Sequence, residues 1–216
     1  MRKFRSHLAS YITSCAVAFI ITLIAIFATL TVTAPKAEAA VSPVSLGILP
    51  PLQFPSDDFT VTGLRLSVLY GQQRNMYGLD FGIGGNITEQ EFTGLAISGL
   101  FNYTKGSTTV LGLQAAGLTN INTSKTRVYG LQMALGMNYN TADTEVVGFQ
   151  VAAVNQGSHT KVFGAQLGIY NEAMDVYGFQ IGLINVANSL HGIQIGLLNF
   201  HKTGTFAVSP IINIGF

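Results

Sequence analysis

The stretch Val176–Asn185, VYGFQIGLIN, and its echo at Leu190–Asn199, LHGIQIGLLN, decide the fold class. In the first copy Tyr177, Phe179, Ile181 and Leu183 alternate with Gly178, Gln180 and Gly182. A period of two puts these sets on opposite faces of a β-strand, whereas a helix would scatter both around its circumference.

Outward from there, the same unit recurs with copies beginning at Gly63, Gly78, Gly94, Gly112, Gly130, Gly148, Gly164, Gly178 and Gly192. The intervals are 15, 16, 18, 18, 18, 16, 14 and 14 residues. Short polar connectors such as NTSKT, NTADT and NQGSHT separate the copies and have turn compositions. A repeat of this kind predicts an all-β domain. The 15-residue interval predicts a bulge or odd turn between Tyr70 and Tyr77.

At the repeat centres stand Arg65, Asp80, Ala96, Gln114, Gln132, Gln150, Gln166, Gln180 and Gln194, flanked by glycine, alanine or serine two residues away. The opposite face is apolar at four positions per copy. Charges return five residues before the centre (Glu91, Arg127, Glu145, Lys161, Asp175), and asparagines return five after it (Asn155, Asn171, Asn185, Asn199). Nine residues at about 3.3 Å, tilted by about 40°, give an apolar band roughly 23 Å tall, close to that of an outer-membrane barrel. Tyr77, Tyr129, Phe163 and Tyr177 fall where an aromatic girdle would lie. Nine such strands plus a final one, TFAVSPIINIGF, make an even ten. The expectation is therefore an up-and-down antiparallel transmembrane β-barrel of about ten strands over residues 59–216. Residues 40–58, with Pro50, Pro51 and Pro55, read as an extended N-terminal arm.

Residues 1–39 read as a Sec-type signal peptide: a basic start at Arg2, Lys3 and Arg5, an apolar run from Ile12 to Val32, and Ala37-Glu38-Ala39, with cleavage after Ala39. The run is also long enough to span a bilayer as an uncleaved anchor. Beyond it, seven Lys/Arg and nine Asp/Glu remain in 177 residues. That is well below the quarter usual for soluble domains and argues against nucleic-acid binding. The only cysteine, Cys15, lies in the signal.

The repeated G-[LFI]-Q-[IVLM]-G-L-x-N unit, from roughly Thr60 to Phe216, resembles a loosely defined group of bacterial surface-repeat and outer-membrane proteins of unknown function. The closing alternation, ending on Phe216, resembles the β-signal read by the barrel assembly machinery. These resemblances imply an outer-membrane location, with outer-membrane lipid and that machinery as partners, and no catalytic role.

Arg65 and Asp80, opposite in sign on adjacent copies, suit an internal salt bridge or a selectivity element. The glutamines Gln114, Gln132, Gln150, Gln166, Gln180 and Gln194 suit either a structural polar belt or the lining of a narrow, weakly selective pore of unknown cargo. His159, His191 and His201 lack metal-ligand spacing. No cofactor motif or nucleophile–base–acid grouping stands on one face, so an enzyme is not expected. The expected role is structural or pore-forming. The alternative is a secreted or surface-attached β-solenoid that mediates interactions, with its apolar face turned into the core and glutamines outside.

Overall fold

The computed structural model describes residues 40–216. The export signal, its cleavage point at Ala39 and Cys15 lie outside the described residues. In chain order the strands are β1 (Val41–Leu49), β2 (Leu52–Phe54), β3 (Thr60–Ser67), β4 (Tyr70–Gly82), β5 (Gly85–Ser98) and β6 (Phe101–Thr104). There follow β7 (Ser107–Ala116), β8 (Thr119–Asn122), β9 (Thr126–Ala134), β10 (Met137–Asn140) and β11 (Thr144–Val151). The last are β12 (Val154–Gln156), β13 (Thr160–Leu167), β14 (Tyr170–Ile181), β15 (Ile184–His201) and β16 (Val208–Gly215).

The pairing is parallel, and like stands on like. Glycine pairs with glycine and glutamine with glutamine: Gly148↔Gly164 and Gln150↔Gln166, Gly164↔Gly178 and Gln166↔Gln180, Gly178↔Gly192 and Gln180↔Gln194. Each repeat is one coil of a β-solenoid. Its glutamine-centred strand lies in a first sheet, the chain turns a corner, and a short strand lies in a second sheet. The first sheet holds β1, β3, β7, β9, β11, β13 and the later parts of β4, β5, β14 and β15. The second holds β6, β8, β10, β12 and the earlier parts of β4, β5, β14 and β15.

This overturns the antiparallel transmembrane barrel, together with its porin-like lumen and transmembrane strands. The physical reason is the direction built into the repeat. The charges Glu91, Arg127, Glu145, Lys161 and Asp175 precede their centres, and the exposed aliphatics Ile83, Leu135, Ile169, Leu183 and Leu197 follow theirs. Parallel stacking gathers each kind along its own edge, whereas up-and-down strands would alternate them between two ends. The 14 to 18 residues hold two strands and two turns, not one strand and one turn.

The solenoid alternative is also corrected in its facing. Gln114, Gln132, Gln150, Gln166, Gln180 and Gln194 are buried, and their apolar neighbours in sequence point outward. The corner explains why alternation misleads there. The bend falls at Gly182 and Leu183, and the two successive residues Leu183 and Ile184 both lie outside, so the asparagine five residues after the glutamine also points inward.

A row four residues before the centres supplies the apolar core: Val110, Val128, Val146, Val162, Val176 and Leu190, with Phe92, Met76 and Val61 in earlier coils. Burying each side chain contributes about 1.5–3 kcal/mol. Glycine two residues before the centre has no substitute in this stack. Gly164 has φ +140°, and a Cβ there would stand 2.0 Å from the Gly148 carbonyl oxygen of the coil below.

Both ends are covered. Val41–Leu49 and Leu52–Phe54, within the stretch expected as an arm, form strands: β1 stacks parallel on β3, and β2 folds back antiparallel on β1. At the other end β16, the closing alternation, pairs antiparallel with β15 and caps the stack. Its register breaks between Gly196 and Asn199, beside Pro210 and Ile211, which has φ 67°. The missing proline N–H is not needed there. The odd interval carries an irregularity in the β4–β5 register between Gln73 and Asn75.

Candidate interaction surface

The glutamines form a continuous side-chain ladder. Nε2 of Gln132 donates to Oε1 of Gln114 at 2.8 Å, Gln150 to Gln132 at 2.8 Å and Gln166 to Gln150 at 2.6 Å. Gln180 donates to Gln166 at 2.6 Å and Gln194 to Gln180 at 2.7 Å, and Asn213 of the cap donates to Gln194 at 3.2 Å. A second ladder runs along the corner through Asn86, Asn102, Asn120, Asn138, Asn155, Asn171, Asn185 and Asn199, at 2.8 to 3.0 Å per step. Each of these amides also donates to a backbone carbonyl, as Asn185 does to Ile195 at 2.9 Å. The asparagine ladder donates toward the C-terminal end and the glutamine ladder toward the N-terminal end, so their amide dipoles oppose. Amides buried this way are satisfied by identical neighbours one coil away, the same arrangement that stabilises cross-β stacks.

Arg65 and Asp80 occupy the glutamine position in the first two repeats and pair face to face. Arg65 Nε donates to Asp80 Oδ1 at 2.7 Å, and Nη2 stands 2.5 Å from Oδ2. The remaining guanidinium donors reach the Ile87 carbonyl at 2.8 Å and Thr88 Oγ1 at 3.3 Å. Both side chains are buried, so removing either partner alone would strand a charge at a cost of about 3–5 kcal/mol.

The inside is thus occupied, and the outside is the unusual surface. From three residues before each centre to three after it, the outward side of the first sheet carries no charged residue. Leu79, Phe149, Phe179, Ile181 and Ile195 are typical and exposed. The corner beyond is a row of aliphatics, one per coil, with Ile83 74% exposed, Leu135 77% and Leu197 65%. Around the corner the second sheet presents Ile87, Tyr103, Ile121, Tyr139, Val186 and Phe200, all half-buried, and in the same row the polar Gln72, Gln156 and Glu172.

The opposite edge collects the charges. Arg127, Glu145, Lys161 and Asp175 are register partners in successive coils, so their signs alternate up the stack. Lys161 lies 3.3 Å from Asp175, and Lys105 bonds Glu89 at 2.8 Å. Between the charged edge and the apolar face lies an aromatic rim. Phe163 and Tyr177 stack at 4.8 Å, Tyr177 and His191 at 4.7 Å, and Tyr77 donates to Glu91 at 2.8 Å. Burial and the Glu91 carboxylate raise the Tyr77 phenol above its ordinary value, so it remains a neutral donor.

His201, in the last coil, is buried, and its Nε2 accepts the Leu190 N–H at 3.2 Å. Burial, and then the neighbouring His191, lower its pKa. His159 and His191 stand apart from it in sequence role, one in a connector and one on the rim. Phe216 follows β16 and is fully exposed. The asparagine ladder and the apolar corner are the functional features that strand alternation alone misses. The signal for both was the strict recurrence of a small residue, an aliphatic residue and asparagine after each glutamine.

A parallel β-solenoid with amide ladders inside and an apolar exterior is the class that this fold defines. No protein-family model matches the chain, no curated protein is significantly similar to it, and no solved structure matches it.

Proposed function

We propose that the chain is an exported, surface-attached β-solenoid that works by contact through its apolar exterior, without catalysis. The observation that carries this reading is the unbroken apolar face and corner. Patches on ordinary monomers reach about 300–600 Å². Here roughly 20 Å of strand over eight coil steps of about 4.8 Å gives on the order of 760 Å² on the first sheet alone. An area of that size left to water would aggregate, so it serves a standing interaction. The basic start, apolar run and Ala37-Glu38-Ala39 site support export, and the family resemblance supports a bacterial surface or outer-membrane location.

The test is fractionation of a bacterium that makes the full chain, combined with the variant Leu135→Asp/Leu197→Asp. Wild type is expected outside the cytoplasm and held in an assembly or on an envelope fraction, with the variant folded but released. Recovery of wild type as a free monomer, with the same behaviour in the variant, would overturn the reading.

A further inference from the structure

We infer that the aliphatic corner and the first-sheet face are built to sit in one leaflet of a phospholipid bilayer, with the solenoid axis lying in the membrane plane and the charged edge in water. This rests on the reading that the exterior acts by contact, and it names what is contacted.

Four observations carry it. First, the apolar surface runs over two contiguous sides, the first sheet and the corner, and reaches the second sheet only in part, because Gln72, Gln156 and Glu172 share the row of Ile87, Tyr139 and Val186. A second copy docked on the flat first sheet would leave the corner bare, whereas a leaflet surrounds both. Second, polarity is graded along the strand direction, from aliphatic corner to aromatic rim to charged edge. The rim to the corner is six or seven residues, about 20–23 Å at 3.3 Å each, and half of a bilayer with its headgroups is about 20–22 Å. Tyrosines at the headgroup level are what a membrane interface favours. The charged edge alternates in sign and suits a zwitterionic headgroup layer.

Third, the corner backbone is already satisfied. The amide of Leu118 donates to Leu100, Ile169 to Ala153, Leu183 to Ile169 and Leu198 to Leu183, each at 2.8 to 3.0 Å. Backbone that enters hydrocarbon must be paired internally, and parallel coils provide that at every step. Fourth, the chain enters at the right height. The Ala40 carbonyl accepts the Thr60 N–H at 2.9 Å, and Thr60 stands at the charged-edge level of its coil.

The experiment uses the full chain with Cys15→Ser, carrying one environment-sensitive fluorophore at Leu135→Cys, Leu197→Cys, Phe179→Cys or Glu145→Cys, in phosphatidylcholine vesicles. Quenching by lipids brominated midway along the acyl chain is compared with quenching by aqueous iodide. Labels at 135, 197 and 179 are expected to be quenched by bromine at least about threefold more than the label at 145, given a leaflet hydrocarbon depth near 15 Å. The label at 145 is expected to respond to iodide. If the labels on the apolar sides resist both quenchers and the chain sediments as a dimer, a second copy covers the surface. Leaflet insertion is then overturned, while the contact reading stands. If iodide reaches every label, both fall. A parallel series with Leu135→Ala controls for loss of folding, because alanine keeps the corner apolar and preserves insertion.

Discussion

Gln150 is satisfied only by its copies above and below, whereas Gln114 and Gln132 also bond Asn122 and Asn140, and Gln166, Gln180 and Gln194 also donate to backbone carbonyls. Gln150 donates to Gln132 and accepts from Gln166, so Gln150→Ala breaks two bonds and leaves two amides short of a partner. Gln132 Oε1 keeps the Asn140 donor at 3.2 Å and Gln166 Nε2 keeps the Glu172 carbonyl at 3.4 Å, so the loss is that of two net hydrogen bonds at about 0.5–1.5 kcal/mol each, about 1–3 kcal/mol in total. Denaturant unfolding measures it, and an unchanged midpoint would mean that the ladder contributes nothing. His201 gives a pH dependence whose sign follows from its lowered pKa. The folded chain favours the neutral ring that accepts the Leu190 N–H. The stabilisation is therefore full above the ordinary value of 6.5 and is lost as pH falls from there through the lowered value. Unfolding midpoints compared across about pH 5 to 8 should decline toward acid, and His201→Gln should flatten that decline. The pairing of Arg65 with Asp80 was legible at this scale, because opposite charges at equivalent repeat positions have few other ways to be buried.

For a single element, the strand direction matters more than its period. Alternation in Val176–Leu183 identified a strand and its two faces, and the even intervals identified repetition, yet both features suit a barrel and a solenoid equally. The discriminating signal was asymmetry: Glu145, Lys161 and Asp175 always precede the glutamine, and Leu183 and Leu197 always follow it. The second strand of each coil was hidden because it is three or four residues long and begins after a corner that reverses the facing. Asn185 then looked like the polar end of a membrane band, although it points inward. The coil as a unit makes a specific prediction. Deleting Gly178–His191, one 14-residue interval, joins Tyr177 to Gly192 and should leave a folded, shorter solenoid with β-sheet circular dichroism and reduced stability. Deleting one residue fewer should collapse it, because every later side chain would change face. Equal tolerance of both deletions would contradict the stacked register.

Across the whole molecule, polarity is inverted relative to an ordinary soluble solenoid, and that inversion is why the facing was not legible in the sequence. A hydrophobic row is normally read as core. Here the main core row is a valine-rich line under the charged edge, while amide ladders, with small alanines and threonines, occupy much of the remaining interior. Amides in isolation would be expensive to bury, and only repetition in parallel register satisfies them. The apolar residues are thereby released to the outside, where they form a continuous exposed face. All of this depends on consecutive repeats running the same way. The measurement that tests it most directly is the distance between spin labels at Arg127→Cys and Asp175→Cys, in the Cys15→Ser background. These positions precede the glutamine by the same five residues in coils three steps apart. Parallel stacking at about 4.8 Å per coil predicts a separation of about 14–15 Å, allowing for label length. A separation beyond about 25 Å, as between opposite ends of neighbouring antiparallel strands, would contradict the account.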